Sequence, residues 1–412
     1  MRTFLITTLT LLPATAFAGG YVIPDENARE IGLSQATVAA QTGADAVLRN
    51  PAALAGIEGL DVTASGELLV NRTDWSDPML GSASLIAQKS FPPTASVAYG
   101  ARIDDDMAWG AGLGFGVPAG GSLIWPSGWQ GQERIQSVRQ EVFLFAAAAA
   151  FQPMRNVKIG ASLLRYQGQE ELHQAVNYLD HYGDAGLGLS GGATTFGVAV
   201  EATVPNVPLT FGIHYKHSGD LALSGHAHFE AVPPVFQSML HDQAVTETLT
   251  VPNDLAVGAA YDVMPDLKVM AQYSFERWSV YKDDTFVGAD GFTVSVPRNY
   301  KNAHVIRVAG EYEKLPFLPA LTARAGVLRS ISPQPTDTVS PSLTDGDSWA
   351  ISLGAGYEAI KGLRIDLGYQ HAFFDAVTAS GAEAFPGTYK TGVDIVSLGI
   401  NWRTDLAFLK SE

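Results

Sequence analysis

From Leu60 to Trp402 the chain switches between apolar and polar every second residue, in one short segment after another. A period of two is the imprint of a strand with one greasy and one wet face. In residues 60–70, Leu60, Val62, Ala64, Leu68 and Val70 alternate with Asp61, Thr63, Ser65 and Glu67. The pattern predicts further strands at 94–103, 108–117, 137–151, 157–168, 193–204, 209–224 and 249–262. It continues at 267–280, 303–313, 321–331, 348–358, 363–373 and 392–403. Fourteen strands result, an even number.

The connections constrain the fold further. Those after even strands are short: 104–107, 152–156, 205–208, 263–266, 314–320 and 359–362. Those after odd strands are long: 71–93, 118–136, 169–192, 225–248, 281–302, 332–347 and 374–391. Short turns at one rim and long loops at the other characterise an outer-membrane barrel. A soluble all-β sandwich, the competing reading, has no reason to sort its loops by parity. The expected fold is therefore all-β, a 14-stranded antiparallel transmembrane β-barrel.

Charge parity agrees. A Lys or Arg facing lipid costs ~2–4 kcal/mol at the midplane, so charges belong inside. That rule turns Glu67, Arg102, Arg139, Glu141, Glu201, Lys216, Lys268, Glu276, Arg307, Glu311, Arg324, Arg364 and Asp366 toward the lumen. Trp109, Tyr261, Tyr312, Tyr357 and Trp402 collect at the short-turn rim, as an interfacial girdle requires.

Residues 1–18 read as a cleavable secretory signal, with Arg2, an apolar run Phe4–Leu12 and Ala16-Phe17-Ala18. The run is too short to cross ~30 Å of hydrocarbon as a helix. The expected location is the outer membrane of a two-membrane bacterium. A net charge of −16 offers no basic stripe, which argues against nucleic acid. With no cysteine, disulfides and thiolate chemistry are ruled out.

Residues 19–58 lack the two-residue period. Asp25 or Asn27 is placed to cap a helix through Ala28, Ile31 and Ala39, and Pro51 and Gly56 break the chain after it. A segment that is not a strand, ahead of a barrel with room inside, is expected to be a small helical hatch plugging the lumen. The expected division is 1–18 signal, 19–58 hatch, 59–404 barrel and 405–412 tail.

Asn50-Pro51-Ala52 after a short helical segment resembles the plug motif of the FadL family of outer-membrane transporters for long-chain fatty acids and other hydrophobic compounds. Val251–Gly258 with Tyr261, Trp278-Ser279, Thr322–Gly326, Asp347–Tyr357 and Leu363–Tyr369 resemble that family in order and spacing. The resemblance departs at the end, where Arg403–Glu412 runs past the aromatic Trp402. It implies a fourteen-stranded barrel, an N-terminal hatch, and an inward kink in the third strand that opens sideways to the bilayer. Gly110, Gly112, Gly114 and Gly116 leave that strand's inner face bare, and Pro118 cannot donate to a ladder. Small residues there also make room for a hatch, so both readings stay open.

The resemblance further implies a greasy capture groove between the third and fourth outer loops. Val232, Val235, Phe236, Met239 and Leu240 fall on one stripe of a short helix. Leu172, Val176 and Leu179 are expected to face it. A loop helix packed only on its own barrel is the alternative. Inside, a carboxylate ligand needs a cation, and Arg139, Lys216 and Arg307 are the expected binders. Each has lumen acids such as Glu141, Glu201 or Glu311 as alternative partners. Asn50 either holds a turn or acts as a latch.

Gly188–Gly192 matches G-x-S-x-G and Gly186–Gly191 matches G-x-G-x-x-G, but neither has the strand–turn–helix setting its chemistry demands. His226 and His228 form at most a metal pair, and solvated loop histidines are the better reading. No cofactor, no metal and no catalysis are expected. The expected function is passive, hatch-gated uptake of hydrophobic small molecules by a monomer in contact with outer-membrane lipid. A lipid hydrolase, an open porin and a channel for aromatic hydrocarbons are the competing readings.

Overall fold

The computed structural model describes residues 27–86, 89–381 and 384–404. The expected signal (1–18) and the C-terminal tail (405–412) fall outside them.

Fourteen antiparallel strands form the wall. They are β1 Gly59–Asp77, β2 Pro93–Arg102, β3 Ala108–Ile124, β4 Ser137–Met154, β5 Val157–Asn177, β6 Tyr182–Thr203 and β7 Leu209–Lys216. The second half comprises β8 Asp254–Met264, β9 Leu267–Glu276, β10 Ala303–Tyr312, β11 Leu321–Ile331, β12 Ser348–Ile360, β13 Leu363–Phe374 and β14 Thr388–Thr404. β1 pairs with β2 on one edge and with β14 on the other, from Leu60↔Thr404 to Ser76↔Thr388, which closes the cylinder. Closure leaves no unpaired edge running the length of the wall, as hydrocarbon demands. No helix among the described residues is long and apolar enough to cross a membrane.

Side chains alternate as the charge rule requires in almost every strand. In β1, Asp61, Thr63, Ser65, Glu67 and Leu69 are buried inward. Trp109, Tyr261, Tyr357 and Trp402 are exposed near the short-turn rim. β4 breaks the expectation. Its even residues, Gln140, Val142, Leu144, Ala146, Ala148 and Ala150, are buried, while Phe145 and Phe151 are exposed. Arg139 and Glu141 share the parity of Phe145 and therefore point outward, where Arg139 holds Glu141 at 3.0 Å. Arg139 is thus not a lumen cation. Ala146–Ala150 made the strand apolar on both faces, so its parity was unreadable.

The outer loops hold more strand than expected. β5 and β6 climb together as one hairpin whose tip is only residues 178–181. The predicted strand 209–224 stops at Lys216, and 221–229 starts a separate hairpin with 243–249. This hairpin pairs with the upper half of β6. Its second strand passes Val245↔Gly288 and Thr246↔Val287 to a third pair, 283–288 with 293–297. Leu221, Leu223, Val245, Phe286 and Val294 are buried beneath this sheet, which forms a lid over the outer mouth.

A second closure is aromatic. Trp125 stacks on Trp129 at 4.3 Å, and Trp75 and Phe385 pack against Trp129 at 5.8 and 5.4 Å. All three indole N–H groups donate to backbone carbonyls, of Pro386, Pro341 and Ile135. Buried tryptophans satisfied in this way fix the loops that carry them.

Candidate functional site

Residues 27–57 fill the middle of the cylinder. Asn27 caps helix α1, Ala28–Ile31, by accepting from Glu30 N. The expected helix through Ala39 ends after one turn, because Ser34 and Gln35 adopt left-handed φ of 48° and 60°. Their side chains bond Ser352 and Gln370 of the wall, so tertiary contacts outweigh helix propensity. Helix α2, Ala46–Arg49, leads to a 3-10 turn, Pro51–Gly56.

Asn50 is fully buried and joins two parts of the plug. Its Oδ1 accepts from Ala52 N at 3.1 Å, and its Nδ2 donates to Val38 O at 2.6 Å. Pro51 follows at the first turn position, where a missing N–H costs nothing. The motif therefore holds a turn.

The plug meets the wall backbone to backbone. A Cβ on Gly110, Gly160, Gly212 or Gly368 would lie 2.1–2.4 Å from plug backbone atoms. A Cβ on Gly112 or Gly114 would press on Val47 or Leu48. These glycines receive the plug. Charge supplements the fit: Arg29 Nη2 binds Glu311 at 2.7 Å, and Arg324 binds both Glu311 (2.6 Å) and Asp366 (2.8 Å). Asn27 and Thr63 bond Asp45, while Ala44 N bonds Asp61.

The kink lies above the glycines. Gly116 pairs with Leu144 but Ala119 with Val142, so Val117 and Pro118 together oppose Phe143. Two residues against one is a β-bulge, which bends its strand. On the other edge, β2 pairs with β3 only up to Ala95↔Phe115. The next described bond to that edge is Ile86 N to Ile124 O, 2.8 Å. Between Phe115 and Ile124 no further pairing of β3 with that edge is found among the described residues, and Gly120 and Gly121 lie there at φ of 149° and 156°. Of the residues expected at a lateral opening, Gly116 and Pro118 border this bulge and Gly110, Gly112 and Gly114 do not.

Beside Pro118 the lumen holds a cavity of about 160 Å³. One side is mainly apolar, with Val305, Leu328, Ala350, Phe374, Val393 and Ile395 interrupted by Ser330, Ser348 and Gln370. The other carries Lys216 and Arg307 with Arg49 of the plug, His214, Asp254 and Glu276. Lys216 lies 3.6 Å from Asp254, Arg307 donates to Ser274 at 2.8 Å, and Arg49 lies 3.7 Å from Glu30. The structure brings together two of the three expected cations. Sequence reasoning missed Arg49, since α2 is too short for a readable face. It also missed His214, although parity with Lys216 would have placed it inward.

The expected groove is rearranged. Residues 232–240 form a run of turns, not a helix, with Pro233 and Pro234 withholding two backbone donors. Leu172 is fully buried under the lid and cannot face solvent, and Val176 is half-buried. Leu179 (85% exposed), Val235 (75%) and Met239 stand out from the surface; Val232 and Leu240 are half-buried. Tyr178, unanticipated, stacks on Phe236 at 5.8 Å and joins the two loop tips.

A closed membrane barrel with an internal plug and a lumen cavity defines a plugged outer-membrane transport channel. The chain belongs to the outer membrane protein transport family (OMPP1/FadL/TodX), whose sequence model matches residues 9–403. A Pseudomonas aeruginosa FadL homologue of known structure is 19% identical, over 93% of this chain and 99% of that one, with a TM-score of 0.83. The P. putida toluene transporter TodX is 16% identical, over 90% and 98%, with a TM-score of 0.71. The CymD monoaromatic hydrocarbon channel is 16% identical, over 92% and 97%, with a TM-score of 0.69. No curated protein matches this chain.

Proposed function

We propose that this outer-membrane protein admits hydrophobic molecules that end in an acid group, long-chain fatty acids foremost. The two-faced lumen cavity supports this reading. An oily tail suits the wall of Val305, Leu328, Val393 and Ile395, while Lys216 and Arg307 suit a carboxylate. Arg49 brings the plug into the same cavity, so a bound anion competes with Glu30 for it. Cargo is caught at Leu179, Val235, Phe236 and Met239, settles in the lumen, and leaves sideways at the β3 bulge beside Pro118 as the plug shifts. One chain suffices for this route, so the protein acts as a monomer.

A second reading, passage of uncharged aromatic hydrocarbons, is favoured by the toluene transporter and the monoaromatic hydrocarbon channel among the similar folds. The two separate on the charge of the cargo. Uptake of labelled oleate and of toluene is compared in cells carrying the protein, its Lys216→Ala/Arg307→Ala variant, or neither. A charge-assisted hydrogen bond contributes about 1.5–3 kcal/mol, so losing two is expected to lower oleate affinity at least about 100-fold in the variant. Toluene uptake is expected to stay unchanged. Toluene uptake without oleate uptake in the parent protein would establish the second reading instead.

A further inference from the structure

The lid over the outer mouth is apolar except at its centre. There Glu170 of β5 and Glu247 of the 243–249 strand are buried; neither Glu247 oxygen has a hydrogen-bond partner among the described residues, and Glu170 has only the neutral amide of Gln140 beside it. Gln140, opposite Glu170 in register on β4, is fully buried and carries no charge to offset it. From the 283–297 hairpin come Asp284 and, just beyond it, Arg298, joined at 2.7 Å and both fully buried. Tyr281 donates to Asp284 at 2.5 Å. Asp283, the buried Tyr300 and, from the loop after β11, Asp345 complete the ionisable groups facing this centre. Four buried carboxylates, Glu170, Glu247, Asp284 and Asp345, therefore lie about one buried guanidinium.

That balance cannot hold with every acid ionised. Arg298 is bonded to Asp284 and its single charge cannot also offset both Glu170 and Glu247, which are left as two like charges in a buried interface. An ionised carboxylate buried without partners is heavily penalised, so such groups take up protons or come apart. Either outcome acts on the lid, since the two glutamates sit on opposite sides of the contact: Glu170 on the wall, Glu247 on the cover.

We infer that the lid is a proton-controlled gate, shut while Glu170 and Glu247 are protonated and released when both ionise. Burial, and next the charge of Glu170, raises the Glu247 carboxyl well above its ordinary value. Burial also lifts Asp284, against the pull of Arg298. The closed lid thus binds more protons than the open one. Its stability is full below the ordinary carboxyl range and is lost as pH rises through the raised value. The gate's role in uptake rests on the transport reading above; its movement does not.

The full chain has no cysteine, so labels attach only where they are placed. Thr293→Cys on the lid and Gln167→Cys on the outward face of β5 are both exposed and accept spin labels. In the reconstituted protein, electron–electron distances are recorded at pH 5 and pH 9. A single short distance at pH 5 and a longer population at pH 9 are expected. Adding Glu170→Gln and Glu247→Gln is expected to keep the short distance at both values. An unchanged distance in the protein with both glutamates intact would overturn the gate, as would opening of the Gln variant at pH 9. Neither result depends on which cargo is carried, so a failed gate and a failed transport reading are told apart.

Discussion

Gly160→Val is expected to turn a silent barrel into a leaky one. A Cβ at Gly160 would stand 2.4 Å from both Ala52 N and the Pro51 carbonyl carbon, which are backbone atoms with no rotamer to yield. Overpacking of this kind costs about 1–3 kcal/mol, and each 1.4 kcal/mol is tenfold in a population. The cost is borne by the docked plug, because the wall is locked by strand pairs on both sides. Single-barrel conductance in planar bilayers should therefore rise at least severalfold. Gly66→Val serves as the control, because nothing lies within 4 Å of the added carbon. Equal conductance in the two variants would show that the plug tolerates displacement without opening a path.

Glu311→Ala is expected to cost the most stability of any single lumen change. Glu311 receives Arg29 from the plug and Arg324 from β11 at 2.7 and 2.6 Å, and all three side chains are almost fully buried. Removing the shared carboxylate leaves Arg29 bonded only to the Ala40 carbonyl among the described residues and leaves Arg324 with Asp366, and breaking a buried pair in this way costs about 3–5 kcal/mol. Arg29→Met removes one charge and leaves Glu311 with Arg324, so a smaller loss is expected. Thermal unfolding in detergent reads both. A melting temperature for Glu311→Ala equal to that of Arg29→Met would mean that water reaches this network.

The two variants address separate means of holding one plug. Gly160 tests shape at the 3-10 turn, and Glu311 tests charge at α1. A carboxylate cargo that competes for Arg49 acts between them, since Arg49 faces Glu30 within the plug. Ligand-driven movement of α1 is then an electrostatic event with a nearby cause.

Much of this was legible in the residues. The two-residue period from Leu60 onward and the loop lengths sorted by parity determine a fourteen-stranded barrel, because hydrocarbon admits only closed sheets or helices. The inward faces of Lys216 and Arg307 follow from the same rule. Asn50-Pro51 left a turn and a latch both open, and it took the folded chain to show the Asn50 amide bridging Val38 and Ala52. The features that needed tertiary structure share one physical cause: a pattern without contrast carries no direction. Ala146–Ala150 is apolar on both faces, so only the strand's neighbours could turn Arg139 outward. The stripe at 232–240 has helical spacing, yet Pro233 and Pro234 and a stack against Tyr178 leave it as turns. Glu170 and Glu247 lie 77 residues apart and ordinary in sequence. Only folding places them face to face, where charge must be either neutralised or expelled.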